Sequence, residues 1–326
     1  MSALPIWPNA YPASQAKATL KSQVADFKVT ELPLGLPSGE GEHIWLYIEK
    51  TGANTAWIAK RLAEHAGVKE MDVGYAGMKD RHAITRQWFS VYSPKNTPDF
   101  TALNDAEMTV LEQTRHNKKL RRGDLLGNKF EILLRDFVGD KAALEQNAQA
   151  IAKHGVPNYF GEQRFGHDGG NIEQGRAMLA REIRVRNPGK KSIYLSAVRS
   201  LIFNEVLAER INRGLWGQTL EGDVLAQEQA TGPMWGRGHS KAQAQALELE
   251  QAVVQKYAAL CEGLEFSGLN QERRAVAAIP ANFGWQWQEE GESVHLLLTF
   301  SLASGYYATS LIKELLIAEE PQREFA

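Results

Sequence analysis

The sequence contains little cysteine and no long apolar run. Its 326 residues include one cysteine, Cys261, which excludes an internal disulfide and a zinc site built from several thiolates. No apolar run approaches the length of about 18 residues that a membrane-spanning helix needs. Residues 1–14 lack the positively charged stretch and apolar core of a secretory signal. We therefore expect a cytoplasmic protein that does not associate with a membrane.

Motifs for metals and nucleotide cofactors are missing as well. The eight histidines are scattered, without the H-x-x-x-H or H-E-x-x-H spacing of a zinc site. No G-x-x-x-x-G-K-[ST] or strand-linked G-x-G-x-x-G is present, and Gly236-Arg237-Gly238 alone is too short to indicate a nucleotide site. We therefore expect no metal and no cofactor.

Charge is nearly balanced over the chain but unevenly distributed. The 37 basic and 39 acidic residues give a net charge of −2, which is less basic than is typical of RNA-binding proteins. Residues 115–135 nevertheless contain seven Lys or Arg, and residues 181–199 contain six, against Glu182 alone. Each island predicts either a phosphate-binding surface or an ordinary solvated basic loop.

Hydrophobic patterning predicts strands towards both ends of the chain and a helical block between them. Strands are predicted at residues 27–31, 44–48, 73–76, 88–92, 108–113, 129–134, 284–287 and 294–300. Helices are predicted between Asn54 and Gly67 and at residues 140–154, 171–182, 192–212, 241–261 and 306–319. The economical arrangement is one sheet interrupted by an inserted helical domain, which is an α+β fold.

The most informative segment is residues 77–88, GMKDRHAITRQW. It places Asp80 among three cations on a short turn between two predicted strands. Nearby positive charge favours the ionised form of a carboxylate, which suits a nucleophile or base that acts on an anionic substrate. The alternative is a solvated charged turn, which is common at protein surfaces.

Five separated motifs resemble those of the TruD family of tRNA pseudouridine synthases. Residues 77–88 resemble the family signature, residues 128–130 its N-x-F motif, and residues 157–166, PNYFGEQRFG, its long central block. Residues 20–31 resemble the amino-terminal motif, and residues 305–310, GYYATS, the carboxy-terminal motif. Because the five motifs occur in order over nearly the whole chain, the chain is identified as a member of this family.

The resemblance implies a pseudouridine synthase catalytic domain, with a mixed or antiparallel sheet flanked by helices, formed by residues 1–154 and 280–326. It implies a mostly helical, TruD-specific inserted domain at residues 155–279, which is somewhat short for the family around residues 217–240. It also implies that a monomer isomerises uridine 13 of tRNA to pseudouridine without a cofactor.

The resemblance implies that Asp80 is the catalytic carboxylate beside C1′ of a flipped nucleotide. Asp80 could attack C1′ or remove a ribose proton, and both roles stay open. Burial alone would raise its pKa, so a cation must oppose that shift. Lys79 and Arg81 are the neighbours of Asp80 in sequence, and neighbours on an extended chain point to opposite faces, so we expect Lys21 to be this cation. We expect Glu31 to orient Lys21 or a nearby cation.

Aromatic and amide side chains are expected to form the pocket for the detached base. The resemblance implies that Phe130 stacks on the uracil, and Phe27 and Tyr307 are candidates for the pocket wall, although aromatic residues more often pack in a core. Asn128 offers the donor and the acceptor that the imide edge of uracil requires. Arg164 is expected to organise the cleft or hold a phosphate, or else to form a structural salt bridge.

Two other classes of function remain open. A non-catalytic RNA-binding protein that kept the fold would need basic islands and aromatic residues, but not a carboxylate that repels phosphate. A glycosidase or N-glycosylase would need a second acid near Asp80. The nearest acids in sequence, Glu70 and Asp72, lie beyond the preceding predicted strand, so we favour the synthase.

Overall fold

The structure, a computed structural model, describes residues 4–12 and 14–322. They fall into two compact units whose segments alternate along the sequence. The sheet unit comprises Gln15–Leu144, Pro280–Gly305 and Leu316–Ala326, as far as these segments are described. The helical unit comprises, in the same sense, Met1–Ser14, Glu145–Ile279 and Tyr306–Leu315.

The two units contain the following strands and helices. The strands are β1 Lys17–Thr19, β2 Phe27–Pro33, β3 His43–Thr51, β4 Val73–Tyr75, β5 Ile84–Tyr92, β6 Met108–His116, β7 Leu125–Val138, β8 Val156–Pro157, β9 Leu225–Ala226, β10 Gln229–Met234, β11 Glu272–Ala275, β12 Ala277–Ala278, β13 Ala281–Glu290, β14 Ser293–Ala303 and β15 Ile317–Glu319. The helices are α1 Thr55–Ala66, α2 Lys141–His154, α3 Gly170–Leu179, α4 Pro188–Asn212, α5 Ala244–Lys256, α6 Ala258–Phe266 and α7 Ala308–Leu315.

The sheet unit is built on a mixed sheet with the strand order β13-β14-β7-β2-β5-β3-β6. Neighbours in this order are antiparallel, except that β2 and β5 run parallel with Val29 opposite Thr85. A parallel pair needs a long crossover, which β3, α1 and β4 provide here. Because parallel strands start at the same end, the turn before β5, residues 76–83, meets the segment before β2, residues 20–26.

Helix α1 covers part of this sheet with a single apolar face. Ile58 and Leu62 are fully buried and pack in one cluster with Leu46 of β3 and Phe89 of β5. Burial of each such side chain contributes about 1.5–3 kcal/mol, so this face fixes the helix against the sheet. The helix ends at Gly67, whose φ of 66° is left-handed and suits a residue without a Cβ.

Helix α4 is the centre of the helical unit because it is buried on several sides. One group of its residues, including Leu201 and Phe203, packs in a cluster with Phe160 and Phe165. A second cluster contains Val206 together with Leu249 and Val253 of α5, and a third contains Leu195, Val198 and Ile202 together with Cys261 and Leu264 of α6. A helix that is apolar on several faces belongs in the interior of its unit.

Two predicted helices are wrong in part. The helix predicted at residues 306–319 is α7 followed by β15, because Ile317 donates its amide to Ala16 O at 2.9 Å and pairs β15 in parallel with β1. The helix predicted at residues 241–261 is interrupted at Tyr257, whose φ of −117° is not helical, and α6 continues from there to Phe266. At the end of the chain, pairing with β1 overrides the helical periodicity, and at Tyr257 a break in the backbone does so.

The glycine-rich passage at residues 217–238 contains β9 and β10. Thr231 of β10 pairs with Ala275 of β11. Gly232 lies so close to Phe203 of α4 that a Cβ would meet the aromatic ring at 3.1 Å. Glycine is therefore used here for close packing inside a strand rather than for a turn.

A mostly antiparallel mixed sheet covered in part by α1, together with a separate helical unit, is an α+β fold, and the predicted fold class is confirmed. The predicted domain limits, residues 1–154 and 280–326 against 155–279, stay a prediction. When the chain is divided into compact units, the longest segment of the helical unit begins at Glu145, within α2. The unit also includes the two shorter segments given above. Within residues 4–12 and 14–322, no helix is long and apolar enough to cross a membrane.

Candidate active site

The turn between β4 and β5, residues 76–83, is held by buried polar side chains. Gln87 Nε2 donates to Gly77 O at 3.1 Å, and the Lys79 amide donates to Thr55 Oγ1 at 3.0 Å. Thr55 in turn donates to Gln87 Oε1 at 3.2 Å, and both side chains are buried. The backbone of the turn is therefore fixed by α1 on one side and β5 on the other.

Asp80 lies in this turn and pairs with Lys21. Lys21 Nζ is 2.6 Å from Asp80 Oδ2, and the His82 amide donates to Oδ1 at 2.9 Å. Burial opposes ionisation, but the hydrogen bond and charge of Lys21, together with the His82 amide, outweigh it and lower the pKa of Asp80. The carboxylate is therefore ionised at neutral pH, and its side chain is still 32% exposed.

Lys21 holds this position at some cost to its backbone. Its φ of 57° is left-handed, which costs a residue other than glycine about 1–3 kcal/mol. Its Nζ also lies 3.3 Å from Glu320 Oε1 and 4.8 Å from the centre of the Phe27 ring. Lys21 therefore contacts two carboxylates, those of Asp80 and Glu320. The sequence did not indicate Glu320, because the acids nearest to Asp80 in sequence are Glu70 and Asp72.

Aromatic rings continue from Lys21 across β2, β7 and β14. The centres of the Phe27 and Phe130 rings are 6.3 Å apart, and those of Phe130 and Phe300 are 5.2 Å apart in a stacked arrangement. Phe27 and Phe130 are 6% and 7% exposed. The structure therefore brings Phe27 and Phe130 into one row with Lys21, with only a small part of each ring accessible.

Asn128 precedes Phe130 by two residues, so both side chains lie on the same face of β7. In the sheet register Asn128 is opposite Glu31 of β2 and Leu302 of β14. Its Oδ1 is buried and accepts no hydrogen bond from the described residues. A buried acceptor without a donor is uncommon in proteins, so this oxygen is suited to accept a hydrogen bond from a ligand.

Glu31 pairs with Lys79 rather than with Lys21. Lys79 Nζ is 2.6 Å from Glu31 Oε2, and the Trp88 amide donates to Oε1 at 3.2 Å. Both side chains of the Glu31–Lys79 pair are buried, whereas Arg81 is exposed. Of the two cations beside Asp80 in sequence, Lys79 therefore anchors the turn and Arg81 faces solvent.

Arg164 and Tyr307 belong to the helical unit. Arg164 Nη1 donates to Ser196 Oγ at 3.0 Å, and its guanidinium lies 5.1 Å from the centre of the Phe160 ring. Tyr307 is half-buried and packs against the cluster that contains Phe165. Among the described residues no carboxylate lies within 4.0 Å of Arg164.

Sequence reasoning missed Lys50, which is fully buried beneath the turn. Lys50 Nζ donates to Asp80 O at 2.7 Å and to Ala53 O at 2.7 Å. The available signal was the alternation of β3, in which Ile44, Leu46 and Ile48 are fully buried and Lys50 occupies the next inward position. A lysine that continues a buried apolar face is unusual and indicates a functional or structural role for its amine.

The sheet unit thus assembles an ionised carboxylate, an ammonium and a row of aromatic rings. Such a set can attack an electrophilic carbon or remove a proton, since the carboxylate needs no prior deprotonation at neutral pH. The rings can pack against a flat base. This chemistry needs no redox partner.

A family model described as tRNA pseudouridine synthase D (TruD) matches residues 10–185 and 184–256. The tRNA pseudouridine synthase D of Xanthomonas campestris pv. campestris (strain 8004) is 43% identical over 354 residues, which cover 97% of this chain and 95% of the relative. That of Aeromonas hydrophila subsp. hydrophila is 43% identical over 339 residues, covering 96% and 94%.

A solved structure is also similar to this chain. A crystal structure from Methanosarcina mazei, assigned to tRNA pseudouridine synthase D, superimposes with a TM-score of 0.74 at 20% identity, covering 96% of both chains. Because this structure is only 20% identical in sequence, its similarity establishes the fold alone. The two relatives at 43% identity, which match nearly the whole chain, establish the family.

Proposed function

This chain belongs to the tRNA pseudouridine synthase D (TruD) family, and from that premise we propose that it converts uridine 13 of tRNA into pseudouridine with Asp80 acting at C1′. Isomerisation of uridine to pseudouridine in tRNA follows from membership of the family. The position in tRNA and the roles of individual residues are our proposal.

The reaction is an isomerisation and consumes nothing. The N1–C1′ bond breaks, the uracil turns, a C5–C1′ bond forms, C5 loses its proton and N1 gains one. Asp80 either attacks C1′ and is later displaced by C5, or removes a ribose proton so that a glycal forms and is reprotonated. Both routes need an ionised carboxylate next to the ribose.

The observation that carries this proposal is the pair between Asp80 and Lys21. Lys21 Nζ at 2.6 Å keeps the carboxylate ionised although the side chain is partly buried. An ionised but partly exposed carboxylate is what a substrate entering from solvent requires. The ammonium also offsets the repulsion between the carboxylate and phosphates of the RNA.

We assign binding of the flipped base to the residues beside this pair. Extraction of a base from a folded RNA costs about a few kcal/mol, and stacking on an aromatic ring returns about 1–3 kcal/mol. Phe27 and Phe130 supply that surface. Asn128 Oδ1, which lacks a donor among the described residues, accepts the N3–H of uracil.

The remaining assignments concern the surroundings of this site. Glu31 and Lys79 anchor the turn, and Arg81 and Arg164 each bind the RNA backbone. We further propose that the protein acts as a monomer in the cytoplasm. The reaction is redox-neutral and transfers no group to or from a second molecule, so its chemistry calls for no coenzyme.

The test uses unmodified tRNA labelled with tritium at C5 of uridine, because formation of the C5–C1′ bond releases that tritium. The wild-type chain should release one tritium per tRNA, and position 13 should then carry an alkali-resistant adduct after treatment with a carbodiimide. A tRNA with cytidine 13 should give neither. Asp80→Ala should bind tRNA normally and give no product. Modification at another position would overturn the proposed site, and product from Asp80→Ala would overturn the role of Asp80.

The same experiment separates the alternative functions. Free uracil in the supernatant would indicate N-glycosidic cleavage, for which Glu320, the second carboxylate on Lys21, is a candidate acid. Binding without any product from the wild-type chain would indicate a non-catalytic RNA-binding protein.

A further inference from the structure

Lys50 is a buried lysine whose contacts lead directly to Asp80. Its side chain is 0% exposed at the end of β3. Nζ donates at 2.7 Å to the backbone carbonyl of Asp80 and at 2.7 Å to that of Ala53, in the connection between β3 and α1. Lys50 therefore links the turn that carries Asp80 to the connection between β3 and α1.

Burial of this amine works against the stability of its charged form. The pKa of Lys50 is lowered to about 8, because burial and the charge of Lys79 lower it by more than the charge of Asp80 raises it. An apolar side chain of similar length, such as methionine, would fill the same space without this cost. What Lys50 supplies and methionine cannot is a pair of hydrogen bonds to two backbone carbonyls.

The other anchors of the turn act on residues next to Asp80. Gln87 holds Gly77 O and Thr55 accepts the Lys79 amide. Lys50 alone among these anchors holds the backbone of Asp80 itself. Because an Asp side chain has only two rotatable bonds, the position of its backbone largely decides where the carboxylate lies.

We propose that Lys50 is a positioning residue for the isomerisation, which acts by fixing the Asp80 carbonyl so that the carboxylate stays at C1′ of the flipped uridine. This inference rests on the proposed role of Asp80. A neutral amine has two N–H groups, enough for both carbonyls, so the tie persists whether or not Lys50 is charged. Displacement of a catalytic group by about 1 Å lowers the rate by about a hundredfold.

The test compares Lys50→Met with the wild-type chain in single-turnover and steady-state tritium release and in tRNA binding. We expect kcat to fall by about a hundredfold, with the Kd for tRNA within about twofold of wild type, because Lys50 is fully buried and offers no surface to a ligand. Lys50→Gln, whose amide retains two donors on a shorter chain, should give an intermediate kcat.

Two controls separate positioning from general loss of stability. Ile58→Ala removes a fully buried side chain of α1 in the same unit, and its kcat per folded molecule should stay near that of wild type although its stability falls. Lys60→Met changes an exposed lysine of the same helix and should change neither kcat nor stability appreciably.

The outcomes distinguish this inference from the proposed function. A Lys50→Met protein with a kcat within about twofold of wild type overturns the positioning role. A fall in kcat per folded molecule that is no greater than the fall in Ile58→Ala overturns it as well. If Lys50→Met does not fold, Lys50→Gln decides by the same criterion. Asp80→Ala is assayed in parallel, because its activity would refute the role of Asp80 itself rather than that of Lys50 alone.

Discussion

Lys79 Nζ lies 2.6 Å from Glu31 Oε2 in a salt bridge whose two side chains are 5% and 1% exposed. Lys79, the cation that directly precedes Asp80 in sequence, therefore pairs with Glu31 and not with Asp80. The carboxylate of Asp80 is left to Lys21, which is 59 residues away in sequence. The turn therefore uses one lysine for anchoring and a different lysine for electrostatic control.

Glu31→Gln should destabilise the protein by about 3–5 kcal/mol, because it leaves the buried Lys79 ammonium without its counter-charge. Glu31→Gln combined with Lys79→Met should recover much of this loss, since no buried charge then remains. The measurement is urea unfolding of the single and double variants. Glu289→Gln, which breaks the exposed pair with Lys141, should cost less than about 1 kcal/mol. Equal losses in the single and double variants would contradict this interpretation.

Lys21→Met should move the acidic limb of the pH profile of kcat/KM to higher pH. The hydrogen bond and charge of Lys21 lower the pKa of Asp80 against the effect of burial, so their removal raises it. Asp80 must be ionised to act, and a higher pKa means that activity is lost earlier as the pH falls. Lys17→Met, which removes an exposed lysine paired with Glu319, should leave the profile unchanged. An unmoved acidic limb in Lys21→Met would show that Lys21 does not control this ionisation.

The strands that frame this site could be predicted because alternation of apolar and polar residues has a clear physical cause. β2, β3 and β7 bury every second residue over most of their length, so their sequences alternate. β5 is instead buried on both faces from Gln87 to Val91, and its aromatic and β-branched residues predict it. The parallel pairing of β2 with β5 left no local signal, because it depends on the crossover between them. The approach of Lys21 to Asp80 therefore rested on resemblance to a family rather than on local pattern.

Lys50 and β15 were missed for two different physical reasons. A lysine is usually placed at the surface, and the hydrogen bonds from Lys50 to the backbone carbonyls of Asp80 and Ala53 make its burial tolerable. The residues of β15 continue the apolar periodicity of α7, and only the pairing with β1 makes them a strand. In both cases the deciding contact comes from residues far away in sequence.

The pKa of Lys50 predicts a specific dependence of stability on pH. The unfolded chain keeps this proton up to a pH near 10.5, whereas the folded protein releases it near pH 8. Between these values the unfolded state binds more protons, so the free energy of unfolding rises with pH. The wild-type chain should therefore gain up to about 3 kcal/mol relative to Lys50→Met between about pH 7.5 and pH 10.5. Urea unfolding over this range measures the difference, and a constant difference would contradict the lowered pKa.

The basic segment at residues 181–191 predicts a strong dependence of tRNA binding on salt. Five exposed cations lie there, namely Arg181, Arg184, Arg186, Lys190 and Lys191, and none has a carboxylate within 4.0 Å among the described residues. Arg181→Glu combined with Lys191→Glu should weaken tRNA binding by about tenfold. The slope of log K against log salt should fall by about 1 for each phosphate that the protein no longer neutralises.

Lys60→Glu, a charge reversal on α1 of the sheet unit, serves as the matched control for this segment. It should change the affinity less, and kcat at saturating tRNA should be unchanged in both proteins, since neither variant alters the turn around Asp80. A slope identical to that of wild type in the double variant would identify residues 181–191 as an ordinary solvated loop.

Asn128→Ala should lower activity without lowering stability. Its buried Oδ1 accepts no hydrogen bond from the described residues, so truncation removes an unsatisfied acceptor, whose burial costs about 1–3 kcal/mol. In the complex with RNA, however, the imide of uracil would lose its partner, and kcat/KM should fall by about 10- to 100-fold. Leu126→Ala, at an exposed position of the same strand, should change neither quantity appreciably. Full activity of Asn128→Ala would show that this amide does not bind the base, whereas a large loss of stability would show that the Asn128 side chain is part of the packing of β7.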